Sequence, residues 1–547
     1  MDRLPLSSSR VPRPRRTRRK IPGIKGKAKV LKSVRVRMYR QGLGDCFLVT
    51  FTNAAGEQYH MVVDCGVLPF STGGDKRVDL IAQNILSETG NHLQTVIATH
   101  EHADHISGFK SAREYLGTDP AGKYPGEKPA NPPKVDKVWL AWTEDLQDPQ
   151  VKKILAKGNA LSLSIAAAVM GLGKEKSKAV RDILLFNGAE LEIEESPGMG
   201  ADTTAKPKFK ISKTMQEIME LLRGWGQVEY LEPGDVQKLT NFGVRVHILG
   251  PSRKMAMLGG NAPAYGEGDQ GLKLTQASAF MAAAIKFAGM ELDEKPEEGL
   301  SQADINALYK ISLPFDPLQS LPLEVACQPY PLPERPTYPQ KLQASYRDFY
   351  KEFYGINGES TDQAPEWRRI DTDWLQASES LALQQVSIIN NTSLVMAIEL
   401  TESGKVLLFA ADAEEDNWNT WEAERGNLDQ LLANTVVYKV GHHGSINATD
   451  QKMLMEKMTN KELVALIPVD VKRAEDNQWE FPAKVLYDLE NPTEGLLYHQ
   501  TGGRIILNCG EQCADCKPLY DENLPWPGKI SSDTSADQLW VDYLLAF

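Results

Sequence analysis

The most informative segment of this chain is Thr99-His100-Glu101-His102-Ala103-Asp104-His105, which directly follows the apolar run Leu93-Gln94-Thr95-Val96-Ile97-Ala98. Three imidazoles and two carboxylates stand close together in this segment, and all of them bind metals when deprotonated. In extended backbone, His100 and His102 point to the same side, while Asp104 and His105 turn toward a neighbouring position. The pattern predicts a buried strand that ends in a loop, where one or two metal ions meet both protein and solvent.

Bulk composition indicates a soluble globular protein. The chain has 547 residues, of which 41% are hydrophobic and 24% are charged. This length suits one large core with an insertion, or about two to four domains. We find no apolar run of the ~18 residues that a membrane span needs, and no apolar segment follows the basic amino terminus. Six cysteines are too few for a disulfide scaffold, so we expect a cytoplasmic protein without membrane contact.

Charge is unevenly distributed along the sequence. Residues 1–40 contain 15 Lys and Arg and a single acidic residue, whereas the whole chain has a net charge of −12. A cationic arm on an acidic body suggests a tail that contacts a polyanion such as nucleic acid, or the protein's own acidic face. A disordered solubilising tail explains the same composition.

Changes in composition and periodicity divide the chain into segments. We expect a disordered basic arm, a core interrupted by a mainly helical insertion or cap with Pro-rich connections, and a tail. One piece of the insertion, near 244–249, has strand character and is assigned to the core. The segments are 1–32 (arm), 33–145 (first half of the core), 146–385 (insertion), 386–510 (second half of the core) and 511–547 (C-terminal tail).

Polar residues follow apolar strands at three further places. These are Asp64, Asp412 after Leu407–Ala411, and His442-His443 after Val436–Val440. Polar side chains at the ends of buried strands are costly unless they are used. In a layered α/β sheet such ends converge on one edge, so we expect these residues to meet the histidine cluster there.

These motifs resemble the metallo-β-lactamase superfamily. The spacing His100-x-His102-x-Asp104-His105 matches its metal-binding signature, and Asp412 matches its metal-bridging aspartate. The segment 440–445 is similar to the "GHHGS" element of the branch that includes the soluble hydrolase domain of ComEC-type DNA-uptake proteins, and 41–46 to its "GQGD" turn. The resemblance covers roughly 34–145 and 386–510, with the motifs in the family's order.

The resemblance implies a fold, a metal centre and a reaction. The fold is an α/β protein of the metallo-β-lactamase αββα sandwich type with a large, mainly helical insertion. The centre holds two zinc ions and generates a hydroxide ion for hydrolysis. The resemblance implies that His100 and His102 bind the first metal, that Asp104, His105 and His442 bind the second, and that Asp412 bridges the two. It also implies that Asp104 accepts a proton and that His443 stabilises charge or protonates the leaving group.

The chain departs from this family pattern in three respects. The superfamily usually has a third histidine for the first metal at the position of Asn390-Asn391. The branch with the "GHHGS" element also has Asn-Asn there. Phe481-Pro482 replaces a His-Pro common among close relatives, and the membrane channel of the uptake proteins is absent. Fewer imidazoles and more oxygen ligands shift metal preference, so manganese is an alternative to zinc.

Three functions fit these observations. The first is a metal-dependent phosphodiesterase or nuclease, whose basic arm would hold a polyanion. The second is a hydrolase of small esters, lactones or thioesters, with the insertion as a lid. The third is a non-catalytic metal-binding interaction module, and the aromatic and Pro-rich insertion would also suit a protein partner.

Some residues keep structural alternatives. The His100–His105 cluster could be an accidental surface group, Asp412 a helix N-cap, and Asp64 either an Asx-type turn or the orienter of a histidine. Only one of His442 and His443 needs to be a ligand, and we favour His442.

Other residues carry weaker signals. Ser445 and Asn447 either contact substrate or only form the turn, and we expect His247 to be an ordinary core or surface residue. Cys509, Cys513 and Cys516 have zinc-like spacing but no obvious fourth ligand.

Overall fold

The computed structural model describes most of the two core halves and less of the rest. The described residues are 31–68, 74–111, 134–152, 154–155, 165, 178, 180–181, 191–194, 208–211, 214–254, 385–424, 427–476, 479–508 and 519–547. The predictions for the arm up to residue 30, for 255–384 and for the three cysteines in 509–518 lie outside the described residues.

Strands dominate the described residues, and helices follow or connect them. The strands are β1 Leu31–Tyr39, β2 Cys46–Asn53, β3 Gln58–Cys65, β4 His92–Ala98, β5 Lys134–Ala141, β6 Leu191–Glu194, β7 Lys208–Ile211, β8 Gln227–Leu231, β9 Val236–Leu239, β10 Val244–Gly250, β11 Val395–Leu400, β12 Val406–Phe409, β13 Thr435–Lys439, β14 Val464–Pro468, β15 Ile505–Asn508, β16 Lys529–Ser532 and β17 Trp540–Ala546. The helices are α1 Gly74–Thr89, α2 Ala103–Ser111, α3 Thr214–Arg223, α4 Glu415–Glu424, α5 Leu428–Ala433, α6 Gln451–Lys457, α7 Val471–Asp476 and α8 Leu496–Thr501.

Two large mixed sheets organise these strands. The first has the order β16-β17-β1-β2-β3-β4-β5-β8, antiparallel as far as β3 and parallel from β3 to β8. The second has the order β15-β14-β13-β12-β11-β10-β9, parallel from β15 to β12 and antiparallel beyond. A separate pair is formed by β6 and β7. The α/β class expected from the sequence is therefore confirmed.

Alternating apolar residues explain how the sheets are buried. Val34, Val36 and Met38 of β1 enter a cluster that also contains residues of β10 to β14 from the second sheet. Within it, Phe47 of β2 and Phe409 of β12 meet edge to face with their ring centroids 5.7 Å apart. Two further clusters lie between one sheet and α1 to α3, and between the other sheet and α4 to α6 and α8. Both sheets thus bury apolar side chains on both faces.

The carboxyl ends of the parallel strands carry the predicted polar residues. Thr99 and His100 follow β4, Asp412 closely follows β12, and His442 follows β13. The backbone N–H of Leu394 donates to the carbonyl of Thr99 at 2.9 Å, which joins the end of β4 directly to the second half of the core. Strand ends from both sheets therefore meet.

Two segment assignments change in the structure. The segment 511–547, expected as a tail, contributes β16 and β17, and β17 pairs with β1 from Ser33↔Ala546 to Tyr39↔Trp540. This strand belongs to the sheet because its alternate residues are buried and the buried Asp542 pairs with Arg37. Within 146–385, β10 lies at the expected core strand, and β8 and β9 are additional sheet strands.

Among the described residues, every helix is too short or too polar to span a bilayer.

Candidate metal centre

Three groups of buried side chains in the described residues have the composition of metal sites, and two of them share Asp412. The first contains His100, His102 and Asp412, and the second contains Asp104, His105, Asp412 and His443. Within each group the potential ligand atoms lie within 4.8 Å of one another, and all these side chains are buried. Asp412 is shared by both groups, which makes it the junction between them.

The first group is held by the residues just after β4. The hydroxyl of Thr99 has one proton, which it donates to Asp64 Oδ2 at 2.8 Å, so it accepts from His100 Nδ1 at 3.1 Å. That bond leaves the lone pair of His100 on Nε2, which lies 3.0 Å from His102 Nδ1 and 3.9 Å from Asp412 Oδ2. The ring thus presents its lone pair toward the other members of the group.

The second group depends on the first turn of α2 and on the loop after β13. His105 Nδ1 donates to Asp64 Oδ2 at 2.9 Å, and His443 Nδ1 donates to the carbonyl of Pro468 at 2.7 Å. Each ring therefore turns its Nε2 toward the carboxylates: His105 Nε2 lies 3.1 Å from Asp412 Oδ2, and His443 Nε2 lies 2.7 Å from Asp104 Oδ2. This carboxylate or carbonyl support is the usual one for metal-binding histidines.

Within the two groups that share Asp412, two buried carboxylate oxygens have no hydrogen-bond donor among the described residues. They are Asp104 Oδ1 and Asp412 Oδ2. A buried carboxylate oxygen without a donor is costly. In addition, a neutral His105 would place its Nε2 lone pair against Asp412 Oδ2, which is repulsive unless a proton or a cation lies there. The donor set therefore fits divalent cations.

Burial and charge act differently on the histidines of the two groups. Burial lowers the pKa of His102 to about 4 and that of His100 well below its ordinary value. Burial also opposes protonation of His105, but the carboxylates of Asp412 and Asp104 outweigh it and raise the pKa of His105 well above its ordinary value. The first pair of imidazoles is thus neutral and ready to coordinate, whereas His105 must lose a proton when a cation binds.

The carboxylates of the centre are ionised despite their burial. Burial alone would raise the pKa of Asp412, but His105 and Lys439 outweigh it and hold that pKa well below its ordinary value. The pKa of Asp104 is lowered to about 2, because His105 and His443 again outweigh burial. Both groups can therefore accept cations at neutral pH.

The structure places His443, and not His442, in one of the groups of potential ligands. His443 belongs to the second group, whereas the ring of His442 lies beside Phe481, with centroids 5.3 Å apart, and His442 contributes its backbone N–H to Asp412 Oδ1 at 3.1 Å. The choice of ligand between the two rings, for which the sequence favoured His442, stays a prediction. Glu101, the other carboxylate of the motif, belongs to none of the groups formed by the described residues.

Backbone conformation at the centre is strained. Asp64, Ala411, His442 and His443 have φ values of 56°, 48°, 43° and 54°. L-residues pay roughly 1–2 kcal/mol each in this left-handed region. Such residues persist where surrounding contacts hold them, and they concentrate at functional sites. All four lie in or next to the groups of potential ligands, and such concentration is typical of functional sites.

Two residues beside the ligand groups, Lys439 and Asp45, have no role in the expectations drawn from the sequence. Lys439, the last residue of β13, places its Nζ 2.5 Å from Asp45 Oδ2 and 3.4 Å from Asp412 Oδ1. The backbone N–H of Asp45 also donates to the carbonyl of Asp104 at 2.8 Å. A charged residue ending an otherwise apolar strand is a signal that could have identified Lys439.

A buried polar network connects other motif residues in the second half of the core. The buried carboxylate of Glu414 accepts hydrogen bonds from Ser387 Oγ at 2.5 Å, Asn391 Nδ2 at 3.1 Å and Asn447 Nδ2 at 3.2 Å. Ser445 Oγ donates to Asn447 Oδ1 at 2.6 Å. Asn391, Ser445 and Asn447 thus hold the loops together.

Three other predictions from the sequence can be placed in the structure. His247 Nε2 lies 2.8 Å from Glu399 Oε2 on neighbouring strands, apart from both ligand groups. Asp64 supports the ring of His105, as one of its two sequence interpretations expects. Asp412 Oδ2 lies 3.1 Å from His105 Nε2, and Asp412 Oδ1 lies 3.4 Å from Lys439 Nζ.

Comparisons of the chain with models of protein families, with curated proteins and with solved structures gave no match. Functional inference therefore rests on the motifs and on the geometry of the centre.

Proposed function

We propose that this protein is a metal-dependent hydrolase with a dinuclear centre, and that its substrate is a phosphodiester, as in a phosphodiesterase or nuclease. The observation that carries the proposal is the position of Asp412 in both buried ligand groups. The groups draw on segments that are hundreds of residues apart in sequence, so their convergence does not follow from local clustering. The two sheets and their helices would correspond to the αββα sandwich of the metallo-β-lactamase superfamily.

The ligand set suits two cations. His100, His102 and Asp412 would hold the first, and Asp104, His105, His443 and Asp412 would hold the second. Zinc accepts this mixture of imidazole and carboxylate, and the high carboxylate content also suits manganese. When bound, such cations lower the pKa of water toward neutrality and polarise a phosphoryl oxygen.

The protein's own residues supply proton and charge handling. Asp104 Oδ1 has no donor among the described residues, so it is placed to accept a proton from the attacking water. His442 takes over the role of charge stabilisation that the sequence suggested for His443. Burial lowers the pKa of His442, so it would act as a neutral N–H donor rather than as a protonated acid.

A phosphodiester is the favoured substrate for two reasons. The motifs resemble the branch of hydrolases associated with DNA uptake, and residues 1–40 carry 15 basic side chains. A cationic arm attracts a polyanion, while the acidic remainder of the chain keeps binding weak away from the centre.

Hydrolysis assays with a matched histidine control test the proposal. Purified protein loaded with zinc or manganese is assayed on bis-p-nitrophenyl phosphate, single-stranded DNA and RNA. We expect turnover by the wild type, a loss of about 100-fold or more in His102→Ala, and wild-type rates in His92→Ala, because His92 is half-exposed and pairs with Asp136 outside the ligand groups.

The outcomes separate the alternatives. Equal rates in the wild type and His102→Ala refute the mechanism. Hydrolysis of esters or lactones without phosphodiester cleavage supports a small-molecule hydrolase instead. Less than one metal equivalent after loading supports a non-catalytic interaction module.

A further inference from the structure

Lys439 is a buried lysine that is not one of the proposed metal ligands. Its side chain is 1% exposed, and its Nζ lies 2.5 Å from Asp45 Oδ2, 3.4 Å from Asp412 Oδ1 and 3.3 Å from the carbonyl of Ala411. A buried ammonium group is costly unless charged partners surround it. The carboxylates of Asp45 and Asp412 are such partners for Lys439.

The two oxygens of Asp412 are in different surroundings. Oδ1 is contacted by Lys439 and accepts the backbone N–H of His442 at 3.1 Å. Oδ2 faces His105 Nε2 at 3.1 Å and His100 Nε2 at 3.9 Å, one from each ligand group. A carboxylate that could turn freely would be able to bind a single cation with both oxygens. With Oδ1 engaged, only Oδ2 remains for the cations.

Asp45 also holds Lys439, through an ion pair of 2.5 Å. Its backbone N–H donates to the carbonyl of Asp104 at 2.8 Å, and its carbonyl accepts from the N–H of Gly66 at 2.9 Å. Asp45 is therefore tied to the first half of the core, and Lys439 to the second. The ion pair between them joins the halves at the centre.

We propose that Lys439 and Asp45 are a positioning pair that holds Asp412 so that a single oxygen is shared by two divalent cations. The pair would thereby make the centre dinuclear rather than mononuclear. This inference rests on the proposed function. It also explains a third group of potential ligands, Asp45, Asp64 and His105, because the ammonium of Lys439 already occupies the cation position beside Asp45.

Metal stoichiometry and spin coupling with Mn²⁺ test the pair. Wild-type protein reconstituted with Mn²⁺ should bind two equivalents and give the electron paramagnetic resonance spectrum of an exchange-coupled pair. Lys439→Met should bind about one equivalent and give an uncoupled spectrum. Lys439→Arg keeps the charge and should recover part of the coupled signal.

A double variant separates positioning from simple charge neutralisation. Lys439→Met leaves Asp45 unpaired, whereas Asp45→Asn combined with Lys439→Met removes both charges. If Lys439 only neutralises Asp45, the double variant regains two coupled ions, which would overturn the proposal. We expect the double variant to remain mononuclear. It also serves as the test protein if Lys439→Met does not fold, as judged by circular dichroism.

A lysine elsewhere in the sheets provides the matched control. Lys137 lies in β5 and pairs with Glu229 at 2.8 Å, outside every ligand group, so Lys137→Met should retain two coupled ions. Two coupled ions in Lys439→Met would refute the positioning role and leave the proposed function standing. A wild type that binds no Mn²⁺ or Zn²⁺ would instead refute the proposed function.

Discussion

The substitution Asp64→Asn tests how the ring of His105 is held. Asp64 accepts three hydrogen bonds: from Thr99 N to Oδ1 at 2.8 Å, and to Oδ2 from Thr99 Oγ1 at 2.8 Å and from His105 Nδ1 at 2.9 Å. Asparagine has the same shape but only one acceptor oxygen. If that oxygen stays on the N–H of Thr99, the amide NH₂ faces His105. Nδ1 must then accept, and the proton moves to Nε2, the atom that would coordinate a cation.

The expected size of the effect follows from this change of tautomer. Removing the carboxylate behind a metal-binding histidine typically weakens metal affinity by about 10–100-fold. The new amide favours the tautomer of His105 that carries its proton on Nε2, which is worse for coordination than a ring without support. We therefore expect a loss of metal affinity at the upper end of this range. A 100-fold weakening corresponds to about 2.7 kcal/mol. The assay is competition for Zn²⁺ with a chelator of known affinity at neutral pH.

Asp450→Asn is the control for this experiment. Asp450 is also buried and caps α6 by accepting from Met453 N at 2.8 Å, a role that asparagine performs equally well. Its Zn²⁺ affinity should remain within about threefold of the wild type, well inside a difference of 1 kcal/mol. A folded Asp64→Asn protein with wild-type Zn²⁺ affinity would refute the role assigned to Asp64.

Three further predictions concern the ligand choice, pH and the last strand. His443→Ala should lose about one metal equivalent by elemental analysis, whereas His442→Ala should keep both; equal losses would contradict the assignment. Burial, helped by nearby positive charge, lowers the pKa of His60 to about 4, so the folded protein resists a proton that the unfolded chain accepts below ~6.5. The contribution of the neutral His60 to the free energy of unfolding is complete above pH ~6.5 and is lost as the pH falls toward 4. About 2 kcal/mol of it should be lost at pH 5. Urea unfolding at pH 7 and 5 should show this loss in the wild type and a smaller one in His60→Gln, and identical losses would count against it. Asp542→Ala removes the carboxylate that binds the buried Arg37 at 2.7 and 2.8 Å. Glu88 Oε1 stays 3.1 Å from Arg37 Nη1, so the substitution should cost about 1.5–3 kcal/mol in urea unfolding. A cost below about 1 kcal/mol would show that this pair does not hold β17 in the sheet.

Much of the centre could be predicted because its signals are local. The spacing of His100, His102, Asp104 and His105 is readable in a few residues, and Asp412 follows an apolar strand. In α/β sheets the carboxyl ends of parallel strands meet at one edge. The sequence therefore predicts these five members of the site, and the geometry adds how Asp412 is shared.

Which of His442 and His443 joins the group of potential ligands could not be predicted from the sequence. Both residues lie in the left-handed region, which non-glycine residues rarely adopt, so the direction of each ring depends on the strained turn rather than on residue spacing. Only the resulting geometry places the ring of His443 against Asp104.

Long-range pairings were also beyond the sequence. Asp45 lies in a glycine-rich turn and Lys439 in an apolar strand, and nothing local connects them. The last strand has a readable alternation, with Val541, Tyr543 and Leu545 buried, but its partner β1 begins at Leu31 near the other end of the chain. Such pairings depend on the complete fold.

Anomalous diffraction at the zinc edge from zinc-loaded crystals tests the central claim most directly. We predict two peaks about 3.5–4 Å apart, with Asp412 Oδ2 within coordination distance of both. One peak should lie beside His100 and His102, and the other beside Asp104, His105 and His443. A map without peaks among these side chains, or with zinc bound only elsewhere on the protein, would contradict the account.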